Sequence, residues 1–63
     1  MGSVIRDMFK EVLDTEEIML VKYNEALGKT SDPKVKEVVG KIMKDEENHI
    51  KNAREILRIL ESG

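Results

Sequence analysis

The chain has no cysteine and no tryptophan, only one proline, and a single tyrosine and phenylalanine. Without cysteine there is no disulfide framework, no thiolate metal site and no iron–sulfur cluster. That is compatible with a reducing cytoplasm, the expected location. No apolar run approaches the length of a membrane span, and no signal-peptide pattern opens the sequence. The charges are interspersed, with a net value of −2, so there is no basic face. With so few aromatics there is also no stacking platform, and nucleic acid is not an expected partner. Glutamine is absent while charged residues make up 38% of the 63 positions, a balance resembling thermophile proteins and other highly soluble helical ones. The length bounds the chain to one small domain. The terminal Met1-Gly2-Ser3 and Ser62-Gly63 resemble cloning remnants and carry no argument.

What is present is helical periodicity. The pattern predicts a helix over residues 4–27, with Ser3 as N-cap and Gly28 as a left-handed C-terminal cap beside Lys29. Residues 28–32 form the turn. Asp32-Pro33 signals a restart, Asp as N-cap and Pro at the first helical position, and the second helix is expected over residues 33–60. Gly40 lowers helix propensity by about 1 kcal/mol relative to Ala, but its angle places it off the apolar lane. So short a connection makes the helices antiparallel neighbours.

The apolar stripes contain residues that do not belong there. A helix advances about 100° per residue, and with Glu16 at zero, Ile5, Phe9, Val12, Leu13, Met19, Leu20, Tyr23 and Leu27 all fall within roughly 60°. With Glu46 at zero the same holds for Val35, Val39, Ile42, Met43, Ile50, Ala53, Leu57 and Leu60, and for His49. Glu17, Asp45 and Glu47 lie at the stripe edges. Glu16 and Glu46 stand at the midpoints of their stripes, so an antiparallel hairpin should bring them face to face. Two helices cannot cover two broad stripes, and the uncovered remainder predicts association. The expected fold class is all-α: an antiparallel two-helix hairpin that dimerises into a four-helix bundle.

Dimerisation doubles the set to two Glu16, two Glu46 and two His49. That inventory, a Glu on each of two helices and Glu-x-x-His on each of the other two, suits a dinuclear carboxylate site. The i, i+3 step sets a carboxylate and an imidazole on adjacent turns of one face. Charge also balances, because two divalent cations neutralise four carboxylates that would otherwise be very costly in a dry core. Mixed carboxylate and imidazole ligands suit iron or manganese, and zinc accepts the same atoms. Tyr23, two turns after Glu16, is a candidate hydrogen-bond partner for a ligand carboxylate. Asp45 is a candidate to hold the free ring nitrogen of His49. Met19 and Met43 read as core filler. A metal-free reading stays open: Glu16 and Glu46 making buried hydrogen bonds or ion pairs in a structural helical dimer, or in a fragment of a larger bundle.

Glu16 with Tyr23 seven residues on, the turn Ser31-Asp32-Pro33, and Asp45-Glu46-Glu47-Asn48-His49 together resemble the ferritin-like superfamily, in its rubrerythrin and encapsulated-ferritin branch. The likeness covers nearly the whole chain as one Glu plus Glu-x-x-His half, where a typical member carries two. It implies a ferritin-like four-helix bundle with the dinuclear site between subunits. It implies that Glu16, Glu46 and His49 are the metal ligands and the catalytic residues, with two iron ions per dimer. The implied activity is oxidation of ferrous iron by dioxygen or peroxide. The encapsulated branch also implies a homodimer or higher homo-oligomer and an encapsulating shell protein as partner. The absent cysteines leave out the electron-relay domain of rubrerythrins.

Overall fold

The computed structural model describes residues 2–62, with side chains from residue 4 onward. Among them are two α-helices and no strand: α1 over Gly2–Lys29 and α2 over Pro33–Ser62. The hairpin is a rod about 48 Å long and little more than one helix thick in its other two directions. That length is what some 30 residues rising about 1.5 Å each produce.

The restart at Asp32-Pro33 is built as the sequence implies. Asp32 Oδ1 accepts hydrogen bonds from the backbone N–H groups of Lys34 at 2.8 Å and Val35 at 3.3 Å. The Asp32 carbonyl accepts the first helical bond, from Lys36 N, at 3.0 Å. Pro33, which has no N–H to satisfy, occupies the first helical position.

The end of α1 differs from the expected cap. Gly28 is helical rather than left-handed, no described glycine has a positive φ, and the helix runs on to Lys29. The reason lies one residue further. Thr30 N donates to the Ala26 carbonyl at 3.1 Å, closing the last turn, and the Thr30 hydroxyl oxygen accepts Asp32 N at 3.2 Å. The hydroxyl supports the turn that a left-handed glycine would otherwise make. A Cβ at Gly28 would meet nothing within 4 Å. Gly28→Ala is therefore expected to raise stability by about 0.5–1 kcal/mol in urea unfolding, whereas a left-handed cap would lose stability on the same change. The outer helix ends also extend beyond expectation, to Gly2 and Ser62. The Ser3 side chain, expected as a cap, lies outside the described residues.

The apolar core is a short line on α2, Ile50, Ala53 and Leu57, each at most 9% exposed. Phe9, Leu13, Met19, Leu20, Tyr23 and Leu27 of α1 half-bury against α2, as do Val39, Ile42, Met43 and Leu60 from the other side. Three apolar positions expected in the core lane are exposed: Ile5 at 48%, Val12 at 43% and Val35 at 42%. They are not scattered. On the helical wheel Ile5, Met8 and Val12 lean to one side of the Glu16 direction by about 20–80°, and Val35, Val38 and His49 lean from Glu46 by similar angles. Because the helices run antiparallel, both leans open toward the same flank of the hairpin. The opposite flank is closed by charge, with Arg54 Nη2 of α2 at 3.9 Å from Glu17 Oε1 of α1.

Candidate metal centre

Halfway along the rod, Glu16 from α1 meets Glu46 and His49 from adjacent turns of α2. Each offers one donor atom, and the three atoms lie within 4.8 Å of one another. Helix geometry accounts for this. The i, i+3 step stacks Glu46 and His49 along α2. The short turn at residues 30–32 sets the helix midpoints level, so Glu16 arrives opposite both.

The three side chains are not equivalent. Glu46 is buried, at 7% exposure. The Glu16 side chain is 19% exposed, and that of His49 is 58% exposed. The expectation of a core-lane histidine is corrected here: His49 leans onto the open flank, where α1 does not reach over it. Its Nδ1 atom nevertheless turns inward, to 3.6 Å from Glu16 Oε2. That separation is too long for a good hydrogen bond.

Glu16 Oε2 and Glu46 Oε2 are both shut off from solvent and have no hydrogen-bond partner. A buried carboxylate oxygen left unpaired costs about 1–3 kcal/mol or more, and sequences rarely retain that without compensation. A divalent cation would supply it. Two donors bound to one ion at about 2.0–2.2 Å sit roughly 3.0–3.4 Å apart, close to the observed spacing of His49 and Glu16. The two carboxylates would balance the charge of one such ion, and the imidazole would add a third donor. The residues therefore fit a divalent metal. Three donors from one chain are fewer than the four that zinc sites usually take, so an ion held here would need a further ligand.

The proposed supporting residues are less engaged. Tyr23 is half-buried in the same lane, and no hydrogen bond joins its hydroxyl to Glu16 or Glu46 among the described residues. Asp45 is exposed on α2 and makes no described bond to His49. Met19 and Met43 half-bury as filler beside the acids. The sequence reading missed Arg6, half-buried on α1 with its Nε shut off and unpartnered. No spacing signal marked it, because an arginine at a stripe edge normally extends its head into water.

No family model, curated protein or solved structure matches this chain. No described helix is long and apolar enough to cross a membrane.

Proposed function

We propose that this hairpin pairs with a second copy through its open flank and binds iron at a dinuclear ferritin-like site, with oxidation of Fe(II) by dioxygen or peroxide as its activity. One observation carries the reading: two facing carboxylate oxygens, buried and without hydrogen-bond partners, beside an imidazole nitrogen turned toward them. Such a group is built for a cation.

Pairing follows from what a lone hairpin leaves uncovered. Ile5, Met8, Val12, Val35 and Val38 expose between 42% and 59% of their surface on the flank that also carries His49. The core of three small-to-medium side chains is too slight to offset the entropy of ordering the whole chain. A second copy laid on that flank covers the apolar surface and brings a second set of Glu16, Glu46 and His49 alongside the first. In this arrangement Glu16, Glu46 and His49 hold the metal. Bound ferrous iron supplies the electrons that reduce the oxidant.

The test is anaerobic titration of metal-free protein with ferrous iron, followed by aeration. Saturation near one ion per chain, with a ferric absorbance rise faster than free iron shows, is the expected result. No uptake, or uptake unchanged in Glu46→Ala, removes the proposal. Uptake of zinc, manganese or iron that raises the melting temperature, with oxygen consumption at the free-iron background, would reduce the site to a structural one.

A further inference from the structure

We infer that copies of this chain also associate side by side, the outer face of α1 of one copy docking on the outer face of α2 of the next, in a contact separate from the open flank and its metal centre.

The outer strip of α1 points away from α2, about 140–180° around the helix from Glu16. At its middle are Ile18 and Val21, 57% and 58% exposed, which with Glu17, Lys22 and Glu25 line a shallow apolar hollow. An apolar hollow in the middle of a face turned away from both the core and the open flank has no role within one hairpin. Asp14 and Glu25 bracket it, both exposed and neither within salt-bridge distance of a described cation.

The outer strip of α2 carries the opposite charge. Lys41, Lys44 and Lys51 are exposed at equivalent angles. The acids of that strip are already engaged, Glu37 with Lys41 at 3.5 Å and Glu55 with Arg58. Lys44 and Lys51 have no carboxylate within reach among the described residues.

The heights match as well as the signs. The approach of His49 to Glu16 puts the tips of those two side chains at one height. Each step along α1 toward the turn is then matched by one step back along α2. By that count Asp14 is level with Lys51 and Val21 with Lys44, while Glu25 is level with Gly40, one step from Lys41. A neighbouring copy shifted sideways, without rotation, sets Asp14 against the free Lys51 at one end of the hollow, and Glu25 one step from Lys41, which would be shared with its own Glu37, at the other. In the middle the long methylene stem of Lys44 covers Val21. Pairing α1 with α1 would instead oppose acids to acids, and α2 with α2 lysines to lysines. The favoured contact is therefore heterologous, a type that repeats until it closes into a ring or extends as a filament.

The occupant is a second copy of this chain, and the test is its solution mass. Sedimentation velocity is run on the chelator-treated chain at about 0.02 M and about 0.5 M salt, where screening lengths differ severalfold. A species above the dimer at low salt, weakened at least about tenfold at high salt, is expected. Asp14→Lys with Glu25→Lys should abolish it, and adding Lys41→Glu with Lys51→Glu should restore it. Should the lysine variant fold poorly by circular dichroism, the isosteric Asp14→Asn with Glu25→Gln must still weaken the association. A mass independent of salt, or unchanged in both acid-side variants, overturns the inference. So does stronger association of the lysine variant alone, which would mean that α1 meets α1. Ferrous stoichiometry should be the same in all of these variants, so failure here is separable from failure of the metal centre.

Discussion

The two flanks of the hairpin share the same helices and the same length, yet they are finished differently. One is crossed by a charged pair, Arg54 reaching toward Glu17. The other is left apolar and bare, with His49 on the same flank as Met8, Val12 and Val38. A surface of Lys and Glu tolerates water; a surface of Val, Ile and Met is costly in it. The contrast teaches that the group of Glu16, Glu46 and His49 straddles a boundary. Glu46 belongs to the dry interior of one hairpin, and His49 belongs to whatever covers the open flank.

The largest expected effect breaks the open flank. Val12→Lys combined with Val38→Lys removes two apolar side chains from each half of the proposed seam. It should cost at least about 3 kcal/mol of pairing free energy, a dissociation constant raised more than about a hundredfold, with helix content falling at micromolar concentration in the same samples. Sedimentation and circular dichroism check it. Unchanged mass would mean that the two flanks do not differ in role.

Next is the boundary itself. With chelator present, Glu46→Leu should raise stability in urea by about 1–3 kcal/mol, because a buried carboxylate with an orphaned oxygen is exchanged for packing. The same variant should lose any stabilisation by ferrous ion. A loss of stability without metal would show that Glu46 already has a partner.

On the closed flank the effect should be slight. Glu17→Ala removes a pair at 3.9 Å whose side chains are 64% and 47% exposed, so less than about 0.5 kcal/mol should change in urea unfolding. The smallest effect lies off both flanks. The hydrogen bond from Arg58, reinforced by its charge, holds the Glu55 carboxyl below the usual carboxylate range despite slight desolvation, and raises Arg58 in turn. A lowered carboxylate stabilises the fold at neutral pH and loses that contribution as pH falls through its folded value. Wild type should therefore lose stability relative to Glu55→Gln only on acidification, and the two should be parallel from pH 6 to 8, to within about the precision of the melting curves.

Most of the architecture was legible in the residues. The Asp32-Pro33 restart, the near-equal helices and the midpoint acids follow from local rules, and the structure draws Glu16, Glu46 and His49 together as those rules imply. Gly28 departs from expectation because a glycine near a helix end usually caps it. Here the Thr30 N–H closes the last turn on the Ala26 carbonyl two residues later, and the Thr30 hydroxyl supports the turn. His49 was placed in the core lane because a wheel angle of about 60° is ambiguous: it is buried beneath a wide neighbour and exposed beside a single helix. Tyr23 and Asp45 have the right spacing for supporting roles, but spacing does not fix where a hydroxyl or a carboxylate finds its partner.

By itself the sequence determined the hairpin, its register and the identity of the inward acids, since propensity, capping and periodicity act between residues close along the chain. Only the tertiary structure decided which flank stays open, which carboxylate oxygens are left without partners, and that the imidazole turns its Nδ1 inward while its body faces out. Those outcomes depend on how far the second helix reaches around the first, a distance in space that residue order does not encode.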